Sequence, residues 1–316
     1  MASVESGQSG AIDFTSTPPH ACVLPRETRE LLALAPGQFA VDCTLGAGGH
    51  AEDLLRAVTP GGLLLGLDVD PDALSLAGGR LEPLAQNLGV RLVLARANFR
   101  GLPTVLAEHA AGRAPNAILA DLGVSSMQFD RPERGFSFRH DAPLDMRMDP
   151  ALPETAADLL RSRSEQELAD LIFHLAGEHG ARRIARRIVE SRERGEPVET
   201  TGQLEHLVRR ALKVRGHRRI HPATKTFQAL RLAVNQELEC LAAFLDAAPE
   251  TLAPNGTMAV ISFHSGEDRL VKHRYKALAS TGRFLLTGKS VMRPSEDECR
   301  ANPRSRSAKL RGLRRV

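Results

Sequence analysis

The chain contains no tryptophan and one tyrosine, and aromatic residues make up only 4% of it. Its core must therefore be aliphatic and rich in alanine. Cysteine is scarce too: Cys22, Cys43, Cys240 and Cys299 lie far apart, with no C-x-x-C pair. That excludes a zinc ribbon or a disulfide framework and fits a reducing compartment. His217 and His221 stand four apart without an evident third ligand, so no metal site is expected and the pair reads as RNA-facing or structural. No apolar run approaches the roughly 18 residues of a membrane span. The first residues, MASVESGQSGAIDF, lack the basic start and apolar stretch of a signal peptide. A cytoplasmic protein with no membrane partner is expected.

What is present is ordinary in amount and uneven in placement. The 316 residues are 42% hydrophobic and 25% charged, with a net charge of +4. Between Ala181 and Arg219, twelve Lys and Arg face five Asp and Glu, and the last sixteen residues hold six basic side chains and no acidic one. The remainder is net acidic. An acidic body with two basic segments points to a polyanionic partner, or else to a solvated helix and a loose tail.

Along the chain, short apolar runs alternate with helical patterns. FAVDCTL, GLLLGLDVD, RLVLARANF, NAILADLGV and the later TMAVISFH read as strands, and the segments between the first four as helices. Such alternation predicts a mostly parallel, doubly wound α/β sheet with helices on both faces. It breaks off between about Ser126 and Lys225, where only helical patterns follow a charged loop. The expected domains are a disordered N-terminus (1–19), an α/β domain (20–125 and 226–300), a helical insertion (126–225) and a basic C-terminal tail (301–316).

GAGGH follows the first strand and opens the first helix, where a doubly wound sheet brings ligands against backbone N–H groups. A P-loop would end in Gly-Lys-Ser/Thr and a dinucleotide turn would carry a further glycine, and neither fits. Asp68 ends the second strand 22 residues beyond Gly46, placed to accept from both hydroxyls of a ribose. Asp70, beside it, suits a helix cap better. Phe99 ends the third strand and reads equally well as facing an adenine or as core. Asp121 ends the fourth, beside the point where such sheets bind ligands.

These residues, with DLGVSSMQFDRPERGFSFRHDAPLDMRMD, HPATKTFQALRLAVNQELE, VISFHSGEDRLVK and NPRSRSAKLR, resemble the bacterial methyltransferases that modify N4 of a cytidine in 16S ribosomal RNA. The resemblance runs from about His20 to Arg311. It implies a class I S-adenosylmethionine-dependent methyltransferase domain, Rossmann-like, with an inserted all-helical domain that helps hold RNA. It further implies S-adenosyl-L-methionine as cofactor and the small ribosomal subunit, at one cytidine of its decoding region, as partner, with no role for DNA. Carried over by position, the cofactor contacts are Gly48, Gly49, His50, Asp68, Phe99, Asp121 and Gln128, of which His50 and Gln128 rest on the resemblance alone. Gly266 departs from the family pattern, which leads one to expect leucine there, and GEHGARRIAR lacks the aromatic residue expected before its basic helix.

The group that polarises the cytosine amine stays open among Asp121, a carbonyl of the following loop and Asp145, so no catalytic residue is assigned. The arginine-rich helix around Arg182 to Arg194, the RGHRRIHPATK segment and the tail are the expected phosphate contacts. Two other functions compete: a nicotinamide-dependent oxidoreductase, which shares the ribose-binding aspartate, and a non-catalytic ribosome-assembly factor retaining a cofactor pocket.

Overall fold

A computed structural model describes residues 22–213 and 221–316. In chain order the elements are α1 (Pro25–Leu32), β1 (Phe39–Asp42), α2 (Gly49–Ala57), β2 (Leu63–Asp68), α3 (Pro71–Leu88), β3 (Arg91–Arg96), α4 (Leu102–His109), β4 (Ala117–Asp121) and α5 (Ser126–Phe129). Then come α6 (Ala156–Ser162), α7 (Glu165–Ala176), α8 (Ala181–Glu193), α9 (Thr201–Ala211), α10 (Thr224–Val234) and α11 (Glu237–Thr251). The chain closes with β5 (Thr257–Ser262), α12 (Ser265–Ala279), β6 (Phe284–Met292), α13 (Glu296–Ala301) and β7 (Lys309–Arg315).

The strands form one seven-stranded sheet in the order β3-β2-β1-β4-β5-β7-β6. Five strands run parallel, and β7 lies antiparallel between β5 and β6. This is the class I methyltransferase architecture that the resemblance implied. Alternation along the strands divides the apolar residues between two faces. Phe39, Val41, Leu63, Leu65 and Leu67 pack under α4, α11 and α12. Ala40, Leu64, Leu119 and Ile261 pack under α1, α2 and α3.

A second body is helical. Leu159, Leu168, Ile172, Ile184, Ile188, Leu204 and Val208 form its core, with Leu144 and Met146 of the PLDMRMD segment. Its helices α6, α7 and α9 begin with capping boxes at Thr155, Ser164 and Thr200, where a hydroxyl accepts from the third backbone N–H. Among the described residues of this body the extended pairing is one isolated bridge, Pro143 to Thr200. The helical core reaches further along the chain than the expected boundary: Phe227, Leu230 and Val234 of α10 belong to it.

The expected basic tail is a correction. Lys309–Arg315 is a strand inside the sheet, and three of its four cations are engaged locally. Lys309 Nζ and Arg311 Nε both donate to Asp268, at 2.7 and 2.8 Å. Arg315 Nη1 donates to the carbonyls of Glu250 and Leu252.

Candidate active site

The strand order reverses between β1 and β4, and a cavity of about 1540 Å³ opens there along the carboxyl edge of the sheet. Gly46, Gly49, His50, Asp68, Phe99, Asp121 and Gln128 all line it. Gly48 does not line it. Its φ of 81° belongs to the left-handed region, and a Cβ there would lie 2.9 Å from Leu81 Cδ1. Gly48 thus lets the turn and α3 approach each other, and the cavity-lining glycines are its neighbours Gly46 and Gly49.

Asp68 is a hub of hydrogen bonds at the end of β2. Its Oδ2 accepts from Gly46 N–H at 2.8 Å and its Oδ1 from Asp70 N–H at 2.9 Å, so the turn and the carboxylate fix each other. Burial raises the Asp68 pKa, partly offset by these N–H groups. Asp70 caps α3 as expected, accepting from Asp72 N–H at 3.1 Å, but it does more. Almost fully buried, it also accepts from Gln128 Nε2 at 2.9 Å and Arg134 Nη1 at 2.7 Å. Gln128 Oε1 meanwhile accepts from Ser125 N–H. Gln128 therefore reaches the cavity while its amide ties the loop after β4 to the start of α3.

At the end of β4, Asp121 exposes 26% of its side chain to the cavity, yet its Oδ1 is buried without a hydrogen-bond partner. Burial, and then the nearby Asp42 and Glu267, push its carboxyl well above the ordinary range. Asp42, at the end of β1, is likewise buried, and burial lifts its pKa to about 7 although Thr44 N–H bonds to Oδ1. His50 sits 3.8 Å from Asp121, beyond hydrogen-bond reach, and burial lowers its pKa to about 4. Asp121 and His50 thus form no ion pair. Asp121, which lines the cavity and keeps Oδ1 orphaned, favours a cationic ligand beside it, since a positive charge returns a raised carboxyl to its ionised form. A sulfonium- and ammonium-bearing cofactor meets that requirement, and Asp68 suits its ribose.

The other half of the cavity carries groups that sequence reasoning missed. Arg231 donates to both carboxylate oxygens of Glu237, at 2.8 and 2.9 Å. Glu267 Oε2 accepts from Phe263 N–H at 2.8 Å, and its Oε1 lies 3.1 Å from His264 Nε2. His264 Nδ1 accepts from Gly266 N–H at 3.2 Å. A Cβ at Gly266 would lie 3.1 Å from the His264 ring, so the missing leucine leaves room for this cap. Asp145 lies outside the cavity. Burial works to raise its pKa, but Arg147, bonded to both oxygens at 2.8 Å, outweighs burial and holds it low.

The family model for the MraW methylase family matches residues 17–316. The chain belongs to that family. A relative from Syntrophobacter fumaroxidans, named ribosomal RNA small subunit methyltransferase H, is 47% identical over 311 residues, covering 93% of this chain and 95% of its own. A protein of the same name from Symbiobacterium thermophilum is 45% identical, covering 93% and 96%. Another from Koribacter versatilis is 41% identical, covering 99% and 98%. A methylase of this family takes its methyl group from S-adenosylmethionine, in keeping with the Asp121 carboxyl that faces the cavity.

The basic helix α8 is only partly free to meet a polyanion. Arg192 Nη1 donates to the carbonyls of Leu160, Arg161 and Arg163, closing the end of α6. Arg187 pairs with Glu190 at 2.8 Å, and Arg186 with Glu165 at 3.6 Å. Arg182 and Arg183 are exposed. His217 and most of RGHRRIHPATK lie outside the described residues. His221 pairs with Glu205 at 3.1 Å and packs on the Phe138 ring, a structural placement. Among the described residues no helix is long and apolar enough to cross a membrane.

Proposed function

We propose that this chain is a cytoplasmic enzyme that methylates N4 of one cytidine in the 16S RNA of the small ribosomal subunit. The observation that carries this reading is the cavity at the β1/β4 reversal, lined by Asp68, Asp121 and Gln128, in a chain matching the family over residues 17–316. Gly49, His50, Asp68, Phe99, Asp121 and Gln128 hold the cofactor, and Gly48 shapes the turn that carries them.

When bound, S-adenosylmethionine supplies an electrophilic methyl group on a sulfonium. The protein's task is alignment and exclusion of water. Asp68 holds ribose hydroxyls at the ends of β1 and β2. The Phe99 ring, braced against Phe244 with ring centres 5.1 Å apart, offers a wall for adenine. Cytosine N4 is a weak nucleophile because its lone pair is delocalised, so an acceptor must draw on its N–H and take a proton during or after transfer. With Asp145 committed to Arg147, that acceptor is Asp121 or a carbonyl of the loop after β4.

The test is incubation with methyl-labelled cofactor and small subunits lacking the modification, then nucleoside mass spectrometry, with naked 16S RNA in parallel. Label in N4-methylcytidine supports the reading. Tight cofactor binding without label on either substrate would favour the assembly factor. The oxidoreductase would instead bind a nicotinamide cofactor, raising its melting temperature.

A further inference from the structure

We propose that the seam between the helical body and the ends of β4 and β5 is the pocket for the target cytosine, with Phe138 as its stacking platform and Arg231 as the reader of its pairing edge. This rests on the methyl-transfer reading above and adds where the acceptor base sits. The glycine turn, Asp68 and Phe99 claim the β1–β2–β3 half of the cavity for the cofactor. The remaining half is aromatic in a chain that is not. Phe136, Phe138 and Phe227 of the helical body and Phe263 after β5 line it, four of only eleven phenylalanines.

A base taken out of its stack is held by stacking and by hydrogen bonds to its pairing edge. Phe138 is rigidly mounted for the first task. The His221 ring packs on it at 4.5 Å with a tilt of 30°, and the Phe227 ring stands against it at 5.0 Å and 72°. Arg231 is mounted for the second. Nε and Nη2 are fixed by Glu237, while Nη1 forms no hydrogen bond to any described residue and Arg231 lines the cavity. Asn235, at the end of the same helix, donates to Met146 O at 2.8 Å and accepts from Met148 N–H at 2.7 Å, which holds the PLDMRMD segment beside the pair. A fixed guanidinium donor suits cytosine, whose N3 and O2 both accept. It disfavours uracil, whose N3 carries a proton, because a site built around one hydrogen-bond pattern rejects an analogue that lacks it. Glu237 balances the Arg231 charge.

The test uses full-length enzyme loaded with S-adenosylhomocysteine, with cytidine and uridine 5′-monophosphate as probes in saturation-transfer NMR. Methyl transfer to unmodified small subunits is measured alongside. Wild type should show transfer to cytidine monophosphate and much less to uridine monophosphate. Phe138→Leu and Arg231→Lys should each abolish that signal and lower kcat/KM by about tenfold or more, with S-adenosylhomocysteine affinity within about twofold of wild type. Wild-type kcat/KM in both variants overturns the proposal. Loss of S-adenosylhomocysteine binding in Arg231→Lys would make Arg231 a structural residue and overturn its reading role, leaving Phe138→Leu to decide the pocket. A wild type that binds cytidine monophosphate but methylates no cytidine tells against the proposed reaction and not against the pocket.

Discussion

Arg134 Nη1 donates to Asp70 Oδ2 across 2.7 Å, joining the loop after β4 to the residue that opens α3. Arg134 Nη2 also donates to the carbonyls of Arg147 and Met148, both at 3.0 Å. One guanidinium therefore ties the PLDMRMD segment to the strand end carrying Asp68, whose Oδ1 is held by Asp70 N–H. Removing one partner of a buried pair leaves an uncompensated charge. Arg134→Met should lower unfolding free energy by about 3–5 kcal/mol in urea titration. Arg134→Lys, which keeps the charge but loses the fork, should recover part of that loss. Equal stability of Arg134→Met and wild type would dismiss the tie.

Asp68→Asn keeps the shape of the carboxylate while replacing one acceptor oxygen with a donor facing an N–H group or a ribose hydroxyl. Cofactor affinity should fall by about 1.5–3 kcal/mol, roughly tenfold to a hundredfold, measured by calorimetric titration of S-adenosylhomocysteine. The fold should survive, because Asp68 is only half-buried. An unchanged dissociation constant would remove Asp68 from the ribose site.

Much of this site was legible before any coordinates. Asp68 and Asp121 stand at strand ends and Phe99 three residues past the end of β3, and apolar alternation fixes strand ends because a parallel βαβ sheet leaves little freedom in their order. Other features depend on contacts across long stretches of chain. Asp70 gains Gln128 and Arg134 from 58 and 64 residues away, so its second role has no local pattern. β7 escaped because KLRGLRR reads as a basic tail, and only Asp268, distant in sequence, explains how a strand inside a sheet carries Lys309 and Arg311. Arg231 and Glu237 meet only because the chain turns between α10 and α11, at Gln236 with φ of 48°, which no local sequence pattern announces.

The buried Asp42 predicts a pH signature of stability. Its folded pKa, about 7, lies above the ordinary carboxyl value of 3.8, so the native state holds a proton that the unfolded chain releases. Its contribution is fully present below the unfolded value and is lost as pH rises through the folded one. Between pH 3.8 and about 7, wild type should lose stability relative to Asp42→Asn, by about 4 kcal/mol at most. His50, lowered from 6.5 to about 4, acts with the opposite slope in both proteins and cancels in the comparison. Paired urea titrations across that range measure the difference, and a flat difference would mean that Asp42 ionises freely in the fold.

The two basic segments should separate in salt titrations of RNA binding. Each phosphate contact contributes roughly 0.7–0.9 to the slope of log affinity against log salt. Arg182 and Arg183 are exposed on α8, so replacing both with Gln should flatten the slope by up to about 1.4–1.8 with little change in melting temperature. Lys309 and Arg311, on the interior strand β7, already share Asp268. Their replacement should leave the slope unchanged while destabilising the fold, because Asp268 then keeps its charge with neither of its cationic partners. If the slope instead follows Lys309 and Arg311, β7 faces the RNA, and the polyanion meets the β5–β7–β6 side of the sheet and not the helical body.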